Sequence, residues 1–117
     1  MKPNALKDKS LDFAIQIVKT CQKIQSQKKE YILSKQLMRS GTAIGALYCE
    51  AQHAESRKDF IHKIAIAQKE CSETFYWLEL MFKSDVLDEM VYSALNKNAN
   101  ELMSIITSII KTAKSRL

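Results

Sequence analysis

Apolar residues recur at steps of three and four along most of the chain, which is the spacing of one face of an α-helix. Polar segments interrupt this pattern at residues 25–30, around Ser56 and at residues 84–85. The pattern predicts helices at about 11–25, 31–55, 57–83 and 86–115. No segment alternates with a period of two, so nothing predicts a β-strand. Because the predicted connections are short, we expect one all-α domain over residues 1–117, folded as an antiparallel up-down-up-down four-helix bundle.

The first predicted helix carries apolar residues on two adjoining sides. Its main stripe is Leu11, Ala14, Ile15, Val18, Cys21 and Ile24, and Phe13 and Ile17 widen it. We therefore expect two faces of this helix to be buried. Ser10 is predicted as its N-cap, because a serine followed by an acidic residue in the first turn is typical of a helix start.

The starts of the third and fourth helices have clearer signals. Ser56 followed by Asp59 resembles a capping box, and Asp88 with Glu89 places negative charge at the start of the last helix. The third helix then has a bundle-type apolar stripe: Phe60, Ile64, Ala67, Cys71, Thr74, Leu78 and Met81.

The middle of the second helix is made of small residues. Gly41 and Gly45 lie four residues apart and so on one side of the helix, where each glycine costs about 1 kcal/mol relative to alanine. A close approach of another helix would offset that cost. The polar surroundings exclude a membrane GxxxG interpretation.

Composition agrees with a folded protein, since 46% of the 117 residues are hydrophobic and 26% are charged. No apolar run reaches the roughly 20 residues of a membrane span, and the first ten residues do not resemble a signal peptide. We therefore expect a cytoplasmic protein. Three cysteines, an odd number at apolar positions, indicate buried free thiols rather than a disulfide framework.

The formal net charge of +5 permits contact with nucleic acid. The basic residues form three groups: Lys28, Lys29 and Lys35; Arg57, Lys58 and Lys63; and Lys111, Lys114 and Arg116. The first two groups are the candidate nucleic-acid-binding residues, and a solvated charged surface is the alternative. Only Tyr31 and Phe60 are interleaved with these cations, so the sequence does not predict a base-stacking platform.

Several polar residues invite a chemical interpretation. Arg39 and Glu50 lie three helical turns apart on one face, and each can meet a partner charge on a neighbouring helix. Glu70, Glu73 and Trp77 follow at i, i+3 and i+7. A polar seam between helices or subunits is favoured over general acid and base catalysis, which needs a pocket and a raised carboxyl pKa.

A metal site has little support. Cys49 and His53 are spaced to face one ion, with Glu50 or His62 as conceivable neighbours. A di-iron bundle needs two Glu-x-x-His motifs, and this chain has one, from Glu50 to His53. We predict no catalytic residue, no metal and no cofactor.

Five segments of the chain resemble a known family: residues 39–46 (RSGTAIGA), 50–52 (EAQ), 54–63 (AESRKDFIHK), 69–70 (KE) and 76–78 (YWL). They are similar to the bacterial 23S rRNA intervening-sequence proteins. The resemblance implies a left-handed four-helix bundle that forms a barrel-like homopentamer without catalytic site or cofactor. Some members are encoded within intervening sequences of ribosomal RNA genes. A related accessory protein of diversity-generating retroelements binds a reverse transcriptase and nucleic acid.

The sequence departs from the usual family pattern at Leu47, where asparagine is common, and at Ala51, where many members have glycine. The expected function is a non-enzymatic homo-oligomer, a pentamer by resemblance, that binds RNA or a nucleic-acid-processing protein through a basic surface. A protein-interaction scaffold without a nucleic-acid partner is the alternative. Arg39, Gly41, Gly45, Glu50, Glu70, Glu73 and Trp77 are the expected structural or interface residues. Neither a membrane nor a small-molecule substrate is expected.

Overall fold

A computed structural model describes residues 5–117 as four helices. These are α1 (Ala5–Lys28), α2 (Ile32–Ala51), α3 (Arg57–Lys83) and α4 (Glu89–Ser115). Each helix packs against the next, and α1 also packs against α4, so the four surround one core. The described part of the chain measures 47 × 22 × 20 Å and contains no strand. The predicted all-α four-helix bundle is confirmed.

Helix α1 is longer than predicted. It begins at Ala5 rather than Leu11, and it continues through most of the polar segment 25–30. Ser10 is therefore not an N-cap; it is buried within the helix, and its Oγ donates to the carbonyl of Lys7 at 3.2 Å. The polar segment is the exposed last turn of α1, which ends where Lys29 adopts a left-handed φ of 55°.

The buried face of α1 also differs from the predicted stripe. Leu11 and Ile15 point outward, with 60% and 44% of their surfaces exposed. The core face consists of Leu6, Ser10, Phe13, Ile17, Cys21 and Ile24. Of the two faces expected to be buried, the face containing Leu11 and Ile15 is thus left uncovered by the single chain.

Helix α2 begins and ends differently from an ordinary capped helix. The Glu30 carboxylate accepts hydrogen bonds from the backbone N–H groups of Ile32, Leu33 and Ser34 at 2.9–3.1 Å. At the other end, α2 stops at Ala51 rather than at 55. The N–H groups of His53 and Ala54 donate to carbonyls three residues back and form a turn there, and the Asp59 carboxylate accepts the N–H of Glu55 at 3.1 Å.

The predicted starts of α3 and α4 have the expected caps. Ser56 Oγ accepts the N–H of Asp59 at 3.0 Å, and the Asp88 carboxylate accepts the N–H of Val91 at 2.8 Å. Helix α4 begins at Glu89 rather than at 86, because the N–H groups of Val86 and Leu87 both donate to the carbonyl of Met81 and close the end of α3.

The small residues of α2 bring α1 close. A Cβ atom on Gly41 would lie 2.9 Å from Cγ1 of Ile17, and one on Gly45 would lie 3.0 Å from Oγ of Ser10. Both glycines therefore face α1 of the same chain. On the α3 side of α2, the buried hydroxyls of Ser40 and Thr74 lie 2.9 Å apart within hydrogen-bonding distance.

All three cysteines are free, but only two are buried. Burial raises the pKa of the Cys21 thiol to about 12, with a smaller contribution from the Glu30 charge, and burial raises that of Cys71 to about 11. Cys49 is exposed, contrary to the expectation, because α2 turns this position away from the core. None of the helices within residues 5–117 combines the length and the hydropathy that a membrane span requires.

Candidate nucleic-acid interface

The antiparallel order of the helices brings two basic groups together. Helix α3 begins at the end of the bundle where α4 finishes, so Arg57 and Lys58 share that end with Lys111, Lys114 and Arg116. Residues 102–117 contain these last three cations and no acidic residue. We call the five residues together the basic end.

Two acidic side chains near the basic end are occupied by other groups, and a third, Glu55, is exposed two residues before Arg57. Glu50 pairs with Lys63 at 3.3 Å, and Asp59 accepts the N–H of Glu55. Lys63, a predicted nucleic-acid-binding residue, is thereby partly neutralised. Among the described residues, none of the five cations of the basic end forms an ion pair with a carboxylate. Their charges face solvent and remain available to an anion.

An open groove of about 560 Å³ runs between α3 and α4 at the basic end. Arg57 and Phe60 line it from α3, and Arg116 lines it from the position just after α4. The remaining lining residues belong to α4: Ser108, Ile109, Thr112 and Ala113. Phe60 and Ile109 are partly buried and pack against the core. The groove therefore has an apolar surface, two hydroxyls and two guanidinium groups.

The other predicted cations lie at the opposite end of the bundle. Lys28 and Lys29 end α1, and Lys35 lies in the first turns of α2. Lys28 Nζ donates to the carbonyl of Asp85 at 2.9 Å and so ties α1 to the connection between α3 and α4. Asp85, Asp88 and Glu89 are close in sequence at this end and offset its positive charge. The six predicted residues thus form two distant groups rather than one surface.

The polar seam joins α2 to α3 within one chain. Arg39 Nη1 lies 2.8 Å from Oε1 of Glu70, and Arg39 Nη2 pairs with Glu73. Trp77 Nε1 donates to Glu73 at 2.8 Å, and the ring of Tyr76 packs edge to face on Trp77 with centroids 5.1 Å apart. Because the arginine is half exposed, such a network contributes only about 1 kcal/mol per pair or less.

The candidate metal ligands Cys49 and His53 line a shallow depression together with Glu50, Glu55 and Asp59. Within residues 5–117, no three His, Cys, Asp or Glu side chains are arranged to hold a metal ion. The depression instead contains the ion pair of Glu50 and the capping carboxylate of Asp59.

Sequence reasoning did not connect the third basic group to the second. Lys111, Lys114 and Arg116 are more than 50 residues from Arg57 in the chain. The predicted antiparallel order of the helices could have joined the two groups. In an up-down-up-down bundle, the start of the third helix and the end of the fourth helix lie at the same end.

The helices and the basic end define a small antiparallel four-helix bundle with a cationic end. The chain belongs to the family of 23S rRNA-intervening sequence proteins, whose family model matches residues 3–108. It is similar to the crystal structure of a protein of unknown function from the S23 ribosomal protein family of Bacteroides thetaiotaomicron. The two are 45% identical with a TM-score of 0.90, over 92% of this chain and 99% of the other. A comparison with curated proteins found no match.

Proposed function

We propose that this protein is a non-enzymatic, homo-oligomeric bundle that binds RNA in the cytoplasm through its basic end. The observation that carries the proposal is the convergence of Arg57 and Lys58 with Lys111, Lys114 and Arg116 at one end of the molecule. Arginine and lysine side chains without carboxylate partners suit the phosphate backbone, which dominates the affinity of most nucleic-acid contacts.

The polar groups outside the basic end support a structural role rather than catalysis. Glu70 and Glu73, the pair of carboxylates spaced for acid and base work, are both held by Arg39 at the surface of α2 and α3. Glu73 also accepts from Trp77. Hydrogen bonds from one guanidinium group to both carboxylates link α2 to α3, which is a structural role.

Homo-oligomerisation supports RNA binding because it repeats a modest charge. Each copy adds its formal charge of +5, and a ring of five, as the family resemblance implies, presents five basic ends to one RNA. The exposed apolar side chains of Leu11 and Ile15 on α1 favour a further copy of the chain as their partner.

A comparison of two triple variants tests the proposal. The variant Lys58→Gln, Lys111→Gln, Lys114→Gln removes three charges from the basic end. Its matched control, Lys28→Gln, Lys29→Gln, Lys35→Gln, removes three charges from the opposite end. Fluorescence anisotropy with a structured RNA at about 50 mM and about 200 mM salt measures both.

We expect the wild type to bind at the lower salt and to lose at least tenfold in affinity at the higher, on the order expected for several phosphate contacts. The basic-end variant should bind at least about tenfold more weakly and show a smaller salt slope, while the control stays close to wild type. Equal losses in both variants would contradict a localised site, and absence of wild-type binding at low salt would refute RNA binding.

A protein-interaction scaffold is the second candidate. The surface formed by Arg39, Tyr76 and Trp77 favours it, because tryptophan, tyrosine and arginine are the residues that most often dominate protein interfaces. This function predicts a protein partner whose binding is lost in Tyr76→Ala and retained in the basic-end triple variant. Pull-down with these two variants separates the candidates.

A further inference from the structure

The groove between α3 and α4 is more specific than a surface of positive charge requires. Binding of a phosphate backbone needs cations alone, whereas this groove also has the partly buried ring of Phe60 and the apolar side chain of Ile109. Its volume of about 560 Å³ lies within the range of small-ligand sites. Its lining therefore suits a ligand that has both an anionic group and a flat apolar face.

We infer that this groove takes one unpaired nucleotide of a single-stranded RNA, with the base against Phe60 and the adjoining phosphates at Arg57 and Arg116. The inference rests on the proposed function and adds the type of RNA and the residues that recognise it. The hydroxyls of Ser108 and Thr112 lie one helical turn apart on α4 and can bond with the polar edge of a base.

The charge around the groove favours a nucleic acid over a neutral apolar ligand. One arginine begins α3 and the other follows α4, and neither is paired with a carboxylate in the described part of the chain. Lys111 and Lys114 flank Thr112 on α4 and can meet the phosphates on either side of the bound nucleotide. The sequence did not predict a base-stacking platform, but the groove places one aromatic ring, Phe60, beside two arginines, and stacking next to cations is a basis of single-strand binding.

Family membership does not assign this groove. The family model ends at residue 108, so Ile109, Thr112 and Arg116 lie beyond the matched region. With Ala113, four of the seven lining residues thus come from the end of α4 and the residue that follows it.

The test compares single-stranded and duplex RNA. One probe is a labelled RNA of about 12 nucleotides, a length within the usual site size of single-strand binders. The other probe is the same strand annealed to its complement. The variant Phe60→Leu keeps an apolar side chain for core packing and removes the aromatic face. Thr112→Val keeps the shape of an exposed residue, removes one hydroxyl, and leaves the core untouched. Lys19→Gln with Lys23→Gln is the matched charge control for Arg57→Gln with Arg116→Gln.

We expect Phe60→Leu to weaken single-strand binding by about tenfold and duplex binding by less than twofold, because a base in a duplex is stacked and cannot enter the groove. Thr112→Val should weaken single-strand binding by about threefold. The double arginine variant should weaken single-strand binding more than the lysine control does. Circular dichroism melting verifies that each variant is folded.

Different failures have different meanings. If the wild type binds both probes and neither Phe60→Leu nor Thr112→Val changes the single-strand affinity, the groove inference is overturned and the basic end remains a backbone-binding surface. If the wild type binds neither probe at low salt, both proposals are refuted. A peptide of alternating Glu and Leu that binds in a manner dependent on Phe60, where single-stranded RNA does not, would assign the groove to a protein partner and overturn the inference.

Discussion

At the scale of single residues, Gly41 shows how closely α1 approaches α2. An added methyl group would meet Ile17, which is fully buried and β-branched, so it has little freedom to move. At Gly45 the added group would lie 3.0 Å from Oγ and 3.3 Å from Cβ of Ser10, a looser fit than the 2.9 Å approach to Ile17 at Gly41.

We predict that Gly41→Ala is at least about 1 kcal/mol less stable than Gly45→Ala, because overpacking a core costs about 1–3 kcal/mol. Both substitutions gain the same helix propensity, so Gly45→Ala is a matched control. Urea unfolding at one protein concentration measures the difference. Equal urea midpoints for the two variants, or a higher midpoint for Gly41→Ala, would contradict the prediction and show that the Ile17 side chain moves to accommodate the methyl group.

The cysteines give a second prediction at this scale. Native protein at a pH of about 8 should show one thiol per chain that reacts rapidly with a thiol reagent, and unfolded protein should show three. The reason is that Cys49 is exposed, whereas burial raises the pKa of Cys21 and Cys71 and shields their sulfur atoms. Cys49→Ser should remove the rapid reaction; rapid reaction of a second thiol would contradict the packing of α1 or α3.

At the scale of the helix, Glu30 holds the start of α2. Partial burial raises the pKa of its carboxyl, but hydrogen bonds from the N–H groups of Leu33, Ser34 and Ile32 lower it more, so the net pKa lies below its ordinary value. A lowered pKa in the folded state means that the carboxylate stabilises the protein above the ordinary glutamate pKa. That contribution is lost as the pH falls through the folded-state value.

Glu30→Gln should therefore lower stability at pH 7 by about 1 kcal/mol, as the loss of a helix cap typically does. The gap between variant and wild type should close as the pH is lowered past the carboxyl titration. Melting temperatures of both proteins from a pH of about 7 to about 3 check this. A difference in melting temperature that does not change with pH would mean that the negative charge of Glu30 does not stabilise the start of α2.

The helices differ in how well the sequence predicts them. The bounds of α3 follow from Ser56 at its start and the polar residues at its end, because these local signals act alone. The bounds and buried face of α1 do not follow, since both Leu11 and Phe13 lie on apolar stripes with helical spacing. Contact with α2 and α4 decides which stripe is buried, and such contacts are not encoded in the local pattern.

The candidate site shows the same limit. The seam of Arg39, Glu70 and Glu73 was predictable as charges that meet between helices, because the spacing places Glu70 and Glu73 on one face of α3 and Arg39 lies on a different helix. The grouping of Arg57 with Arg116 depends on the order in which the helices meet at one end. The groove between them depends in addition on the size of the side chains that separate α3 and α4.

At the scale of the whole molecule, the exposed stripe of α1 bears on assembly. Replacing Leu11 and Ile15 with Gln should leave the folded chain intact, because both side chains point to solvent, and should dissociate the proposed oligomer. Exposed Met90→Gln, at the other end of the bundle, is a matched control. Analytical ultracentrifugation measures both; a double variant that sediments like the wild type would exclude this face as the interface.

Light scattering coupled to size exclusion, with and without a structured RNA, tests the central claim most directly. The account predicts an assembly with the mass of five 13.4 kDa chains. At about 50 mM salt, added RNA should shift its elution to a larger mass, and at about 200 mM salt the RNA should dissociate. The mass of a single chain, or an oligomer whose mass does not change with RNA at the lower salt, would contradict the claim that a ring of basic ends binds RNA.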